Sequence, residues 1–521
     1  MLLHELLDGL PAYELRGSAD VEVTGVCFDT RRLRPSDLFV AVPEANRDGH
    51  IFIEQAVGGG AAAIVAERSP AQPLPVSLVL VPRSKPALAD LAATFHDHPS
   101  RKLRLIGVTG TDGKTTTCEL AAQLLRSGGV PSGFLTTVTL DYGLGAADNR
   151  TRQSTLESPD VQAGLASMVE HGCRAAVLES TSHALALDRL RNCAFDTAIV
   201  TNVTHEHLDF HRTWEGYLEA KARLLDLVQE SRAVKSGRKT VILNRDDRSH
   251  QHLTRRVPVD ELSYGLSPPA DLRAESIEHV PSGSRFLMKS PWGDVAVQTP
   301  LVGQFNVYNC LAAAAAALVE GLSLQQVANG LAGARAVAGR MERIDEGQPF
   351  QVIVDYAHTA DSLEKVLRVL RPGTPGRLLC VFGSAGERDV EKRPAMGAVA
   401  ARLADYVVIT NEDPRFEDAG RILEEIAAGA MAEGRLRGAD FECIEDRRQA
   451  IAHAFAGATA GDTVLLAGKG HEQCIIVRDE KLPWDDRAVA RELLRNLSPP
   501  SPVPTDTVGR EGSFTGDDRC A

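Results

Sequence analysis

Short apolar runs alternate with stretches of helical spacing along most of the chain. Asp37-Leu-Phe-Val-Ala-Val and Ala61-Ala-Ala-Ile-Val-Ala, each bounded by turn residues, predict strands of a small α/β unit that ends near Pro99. The polar linker Asp97-His-Pro-Ser-Arg-Lys contains a helix-breaking proline. Leu103-Arg-Leu-Ile-Gly-Val then predicts a strand that meets a Gly/Thr loop and a helix over residues 118–127. A strand, a glycine loop and a helix in that order open an α/β nucleotide domain. The runs beginning at Ala175, Thr197 and Thr240 extend its parallel sheet, which is expected to continue to about residue 335. Near Arg343 the alternation restarts, with strands over 350–355, 377–382 and 406–410 and helices over 361–370, 395–404 and 421–432. That pattern predicts a second, Rossmann-like domain. From Ser498 the chain is rich in Pro, Ser, Gly and Asp with little to bury, so 498–521 is expected to be a disordered tail. The expected fold is α/β in three domains: 1–99, 100–340 with a mostly parallel sheet, and 341–497.

At about 150 residues per domain, a length of 521 residues suits three or four units. Hydrophobic residues at 43% and charged residues at 24% are those of an ordinary globular protein. The formal charge of −13 removes the diffuse basic surface that a nucleic acid partner needs. The first ten residues carry Glu5 and Asp8 and no basic start, and no apolar run approaches a bilayer span. Neither a signal peptide nor membrane insertion is expected, and the compartment is expected to be the cytoplasm. Nine cysteines without a C-x-x-C pair argue against a disulfide framework or a thiolate zinc site. They read as small buried hydrophobes.

Two clusters carry chemistry. In Gly107-Val-Thr-Gly-Thr-Asp-Gly-Lys-Thr-Thr-Thr the glycines let backbone N–H groups wrap phosphates. Lys114 can reach the β- and γ-phosphates, the Thr115 hydroxyl can bind Mg²⁺, and the following helix points its positive end at the anion. The spacing departs from the usual phosphate-loop pattern, with glycines at 107 and 110 and Val108 where the first glycine belongs. Such loops serve kinases, GTPases and ligases alike. In the second cluster, predicted strands run into Glu179-Ser-Thr-Ser-His and into Thr201-Asn-Val-Thr-His-Glu-His-Leu-Asp-Phe-His. At the C-terminal ends of parallel strands these segments should face the phosphate loop. Glu179 is a hard oxygen ligand suited to Mg²⁺, and His207 a less usual one. His205, His207 and His211 taken singly suit solvated or capping roles, and no cysteine joins them to favour zinc. Composition alone makes Lys221 a surface charge.

The order of Gly110-Thr-Asp-Gly-Lys-Thr, Glu179-Ser-Thr-Ser-His-Ala-Leu, Thr201-Asn with His207-Leu-Asp, Ala220-Lys-Ala-Arg-Leu, Gly303-Gln-Phe-Asn-Val-Tyr-Asn and Asp355-Tyr-Ala-His-Thr resembles the Mur ligases over about residues 20–490. That resemblance implies a substrate-binding domain, a central ATPase domain and a C-terminal Rossmann-like domain. It implies an ATP- and Mg²⁺-dependent ligase that joins an amino acid to a nucleotide-linked carboxylate through an acyl phosphate. ATP would meet Gly110, Thr111, Asp112, Gly113, Lys114, Thr115, Thr116, Asn306, Asn309, Arg340, Asp355 and His358. Lys114, Glu179, His207 and Lys221 would be catalytic. Thr115, Glu179, His207 and a carbamylated Lys221 would hold the metal.

Phe28-Asp-Thr-Arg, Pro35-Ser-Asp-Leu-Phe-Val-Ala-Val and Ser154-Thr-Leu-Glu-Ser-Pro-Asp resemble the branch that adds the third residue of the peptidoglycan stem. By that resemblance Phe28, Thr30, Ser154, Thr155, Thr181 and Arg189 hold the UDP-N-acetylmuramoyl dipeptide. Arg388, Glu412, Asp413, Pro414, Arg415, Gly468 and Glu472 receive the incoming diamino acid. The chain departs from the family at Asp112, usually Asn, at Thr181, Leu156 and Ala338, and at Glu412-Asp-Pro-Arg, which stands for D-N-P-R. Two guanidiniums suit the distal carboxylate of meso-2,6-diaminopimelate. Asp413 would instead favour an ammonium, keeping lysine and ornithine open. Another ligase of the superfamily, such as a folylpolyglutamate type, and a non-catalytic binding protein on the same fold are the other readings. A monomer is expected.

Overall fold

The computed structural model describes residues 1–43, 48–151, 153–204, 208–256, 259–280 and 283–497. His205, His207 and the tail expected at 498–521 lie outside the described residues. The chain forms two compact units, one of Met1–Glu342 with Arg368–Gly373, the other of Arg343–Leu367 with the chain from Thr374 on.

The first unit holds two sheets. The smaller has five strands, from Glu14–Arg16 to Ser77–Leu80, with one antiparallel edge. Its core gathers Leu3, Leu6, Leu38, Val40, Val65 and Leu91. The Arg32 guanidinium meets Asp160 in two hydrogen bonds of 2.6 and 3.0 Å, tying the Asp29–Arg32 loop to the helix Ser158–Glu170.

The larger sheet has eleven strands. Its centre runs Thr240–Asn244, Thr197–Val200, Arg104–Thr109, Ala175–Glu179 and Ser132–Leu135, all parallel. Helices cover both faces, which is why these strands are almost wholly apolar. Expected and observed strands agree to within a residue or two, but the parallel arrangement does not reach residue 335. From Leu272–Val280 the pairing turns antiparallel, through Gly283–Ser290 and Gly293–Thr299. Gly283 and Gly293, at φ 143° and 119°, begin the strands that follow each reversal. The first of these strands alternates buried Leu272 and Ala274 with half-buried Arg273 and Glu275 and then becomes mostly exposed, as a strand leaving the covered part of the sheet does.

The first helix after the phosphate loop begins at Lys114, four residues before the apolar pattern signals it. Polar Lys-Thr-Thr-Thr carries no periodicity, and it is Gly113 in the left-handed region that starts the turn. The helix Gln304–Val319 packs beside it with Ala312–Ala317 fully buried, small side chains that let two helices approach closely.

In the second unit five parallel strands pair in the order Gln351–Asp355, Thr463–Ala467, Leu378–Phe382, Tyr406–Ile409, Phe441–Cys443. Arg447 lies fully buried beneath them. It pairs with Asp486 at 2.7 Å and donates to the carbonyls of Ala467 and Asn411, which follow two of the strands. Burial alone would push this guanidinium's pKa down, but Asp486, Glu412 and Asp413 hold it above its usual value. Among the described residues eight cysteines are free, seven of them buried. Among the described residues no helix is long and apolar enough to cross a membrane.

Removing one partner of a fully buried ion pair strands the other charge, at a cost of about 3–5 kcal/mol. Asp486→Ala should lose stability on that scale in urea titration of the full chain. A loss below about 1 kcal/mol, the scale of an exposed pair, would contradict the buried-pair account.

Candidate active site

Three parallel strands end side by side, with Val108 in register with Glu179 on one flank and Ile199 on the other. The loop from Gly110, the carboxylate of Glu179 and the segment from Thr201 therefore share one edge, the place where open α/β sheets bind ligands.

The loop is held from below. Thr111 N–H donates to the Asn202 carbonyl at 2.8 Å and Asp112 N–H to Asn202 Oδ1 at 2.9 Å. Thr201 Oγ1 donates to the Asp112 carbonyl at 2.6 Å. These contacts engage the Asp112 backbone and do not call on its side chain. Lys114 Nζ bonds the Thr111 carbonyl at 2.6 Å, bent across the loop. A Cβ on Gly110 would lie 1.8 Å from Thr201 Oγ1, and one on Gly113 would lie 2.3 Å from Asn309 Oδ1. Asn309 also meets Thr117 Oγ1 and Asn306, so both asparagines sit buried at the base of the loop. Thr116 is partly buried on the same first turn.

Glu179 is 2% exposed. Its Oε2 accepts from Thr115 Oγ1 at 2.9 Å and from the Thr137 N–H at 2.8 Å. Thr137 carries no sequence signal and was missed; only the sheet brings it there. Among the described residues no three His, Cys, Asp or Glu side chains converge as a metal cluster. The pair Thr115 and Glu179, two hard oxygen donors beside a cradle that a Cβ would fill, fits a nucleotide-bound Mg²⁺. Lys221 is a correction to the composition reading: it is 1% exposed, 2.5 Å from the Gly110 carbonyl and over the Tyr217 ring. The helix Trp214–Glu230 turns that face inward. His211 lies 3.0 Å from Ser182 Oγ.

The substrate-loop residues converge on the same strand end. Thr155 Oγ1 donates to the Glu179 carbonyl at 2.7 Å and meets Thr181 at 3.1 Å. Arg189 bonds the Thr155 carbonyl and pairs with Glu157 at 2.6 Å. Ser154 is partly buried beside them. Phe28 packs on the core of the smaller sheet, and Thr30 meets Gln55 at 3.3 Å. Arg340 closes the first unit, its N–H on the Val337 carbonyl.

In the second unit, Asp355 and His358 follow the strand Gln351–Asp355. Asp355 caps the Ala357 N–H, and His358 Nδ1 lies 2.8 Å from the Tyr356 carbonyl. Three other strand ends bring the amino-acid residues together. Gly386 N–H donates to the Asp413 carbonyl, and a Cβ on Gly468 would lie 2.8 Å from Glu412 Oε2. Lys469, fully buried, bonds Asp413 Oδ1 at 2.8 Å and pairs with Glu472. Burial alone would lower this ammonium's pKa, but Glu472, Asp413 and Glu412 more than offset it and raise it. Asp413 Oδ1 also takes the Ile476 N–H at 2.8 Å. Glu412 is 6% exposed, and its Oε2 meets no hydrogen-bond donor among the described residues. Arg415 Nε likewise meets no acceptor among the described residues. Pro414 is buried between them, and Arg388 is exposed. Sequence reasoning missed Arg393, fully buried, which ties the Ala385 carbonyl to Glu417 and Glu425.

A glycine-cradled phosphate loop whose first helical turn meets a buried carboxylate defines a P-loop nucleotide-dependent enzyme. Two family models match: Mur ligase middle domain over residues 108–317, and Mur ligase, glutamate ligase domain over 339–470. A UDP-N-acetylmuramyl-tripeptide synthetase of Roseiflexus sp. (strain RS-1) is 47% identical over 95% of this chain and 99% of its own. A UDP-N-acetylmuramoyl-L-alanyl-D-glutamate--2,6-diaminopimelate ligase of Geobacillus thermodenitrificans is 41% identical over 95% of this chain and 99% of its own. A solved structure of a ligase with that second name matches at TM-score 0.66 and 30% identity, over 94% of this chain and 99% of its own. The chain belongs to the Mur ligase family and is an ATP-dependent ligase.

Gly113 has φ 82° and no room for a side chain. Gly113→Ala should weaken ADP binding at least about tenfold in calorimetry, the scale of one strained non-glycine residue, with the circular dichroism spectrum unchanged. Unaltered affinity would remove this loop from the nucleotide site.

Proposed function

We propose that the chain adds a diamino acid, meso-2,6-diaminopimelate, to the D-glutamyl carboxylate of UDP-N-acetylmuramoyl-L-alanyl-D-glutamate, forming the tripeptide of peptidoglycan synthesis. The Thr155 hydroxyl on the Glu179 carbonyl carries this reading, because it joins the loop expected to hold the muramoyl dipeptide to the strand end expected to hold the nucleotide's metal. The loop amides and Lys114 bind and orient ATP while the substrate carboxylate attacks the γ-phosphate. The diamino acid's amine then attacks the acyl phosphate, and the tetrahedral intermediate collapses to the amide and phosphate, with ADP the other product. Mg²⁺, when bound through Thr115, Glu179, His207 and Lys221, supplies neutralisation of the phosphate charge. The reading divides the chain at about residues 99 and 340 into substrate, ATP and amino-acid domains, acting as a monomer in the cytoplasm. Asn306, Asn309 and Arg340 belong to the ATP site of the first unit in this reading.

The charges in the second unit favour diaminopimelate over lysine or ornithine. Asp413 is engaged within the protein, by Lys469 and by the Ile476 N–H, so it is not a bare carboxylate awaiting an incoming ammonium. Arg415 Nε and Glu412 Oε2, each without a hydrogen-bond partner among the described residues, offer one site for a carboxylate and one for an ammonium. Diaminopimelate carries both at its far end; lysine and ornithine carry only the second.

Lys221, buried against the phosphate loop, would act in this reading as a carbamate. Lys221→Ala should lose turnover by at least about a hundredfold and recover part of it with added short carboxylic acids. An unmodified lysine by mass spectrometry, with activity surviving substitution, would end that role. ADP release across a panel of amino acids should select diaminopimelate. Arg415→Ala should raise its KM by about tenfold or more, the scale of a lost charged hydrogen bond, and leave that for lysine within about threefold. If the wild type ligates lysine or ornithine and ignores diaminopimelate, the amino acid is wrong and the ligase assignment stands.

A further inference from the structure

One carboxylate beside the phosphate loop has no part in the scheme above. Glu119 stands four residues after Thr115 in the helix Lys114–Ser127, so the two side chains share a face one turn apart. Its Oε1 accepts from Thr139 Oγ1 at 2.7 Å and lies 3.2 Å from Thr136 Oγ1. Those two threonines bracket a tight turn, closed by Thr136 N–H on the Thr139 carbonyl at 3.0 Å and by Thr139 N–H on Thr136 Oγ1 at 3.1 Å. Between them sits Thr137, whose N–H reaches Glu179 Oε2 at 2.8 Å, the same oxygen that takes the Thr115 hydroxyl. A closed ring results: helix to Glu179 through Thr115, Glu179 to turn through Thr137, turn back to helix through Glu119.

We propose that Glu119 is a positioning residue for the metal site, fixing the Thr136–Thr139 turn so that the Thr137 N–H holds Glu179 Oε2 and leaves the carboxylate's other oxygen aimed at the nucleotide's cation. The inference rests on Glu179 being a Mg²⁺ ligand. Its chemistry is that of an outer-shell partner, which orients a ligating carboxylate without touching the ion. Burial pushes the Glu119 carboxyl up to about 7, against the pull of the Thr139 and Thr136 hydroxyls.

The test is calorimetric binding of ADP to the full chain, with saturating Mg²⁺ and again with EDTA. The ratio of the two dissociation constants reads the metal's share of binding without catalysis. Glu119→Leu should cut that ratio by about tenfold or more, as outer-shell losses do, and leave the EDTA value within about twofold. Thr139→Val should reproduce the fall with Glu119 intact. Glu119→Gln, which keeps an oxygen for the Thr139 hydroxyl, should restore most of the ratio. A Glu119→Leu protein with a lowered melting temperature but an unchanged ratio would make the residue a packing element and overturn the proposal. Glu179→Ala separates the two levels. If it too leaves the ratio unchanged, Glu179 is no metal ligand and the underlying assignment falls. If it collapses the ratio while Glu119→Leu does not, only the positioning role is lost.

Discussion

The phosphate-loop edge of the first unit is arranged around one carboxylate held out of water. Glu179 ends a strand wholly inside the sheet, and an ionised side chain there is tolerated only with donors aimed at it. The Thr115 hydroxyl and the Thr137 amide provide them, while the neighbouring Thr111, Thr117, Thr136 and Thr139 hydroxyls meet Tyr217, Asn309 and Glu119. Short β-branched hydroxyl residues bring an oxygen or a hydrogen to a fixed place with little rotamer freedom to lose. The register opposite Val108 then sets how far the carboxylate stands from the phosphate loop, and the Thr155 hydroxyl on its own carbonyl sets the distance to the next loop.

Both units use the same solution to position polar groups. Buried parallel strands are rigid because both faces are packed, and their C-terminal ends deliver consecutive loops to one edge. In the second unit the arrangement is reinforced from within, since Arg447 grips the carbonyls after two strands and Arg393 grips the loop after a third. A guanidinium suits this task because its planar fork bonds several oxygens at once.

Much of this was legible in the sequence. The apolar runs at 103–108, 175–178, 197–200 and 240–243 are strands because nothing else explains such blocks between helical stretches. The residues carried by motif, Lys114, Thr115, Glu179, Thr155 and Thr181, do come together at adjoining strand ends. What escaped lacked a local signal. The antiparallel hairpins after residue 272 alternate too weakly to stand out, and the first turn of the helix at Lys114 is polar throughout. Thr137, Glu119, Arg393 and Arg447 owe their places to long-range packing. Lys221 looked like a surface lysine because an amphipathic pattern says which residues share a face, not how deeply a charged one sinks.

Lys469 has a consequence for anyone who would retune the selectivity of this pocket. Fully buried, it answers two carboxylates at once, so Asp413, Glu472 and Lys469 together leave one negative charge uncompensated among themselves. Restoring the amide usual in the family at 413 removes one of its two partners and leaves the ammonium more dependent on Glu472. Position 413 is therefore not an independent dial: its substitutions should be epistatic with 469 and 472, because each changes the net charge of the trio, and a library that varies the three together explores specificity.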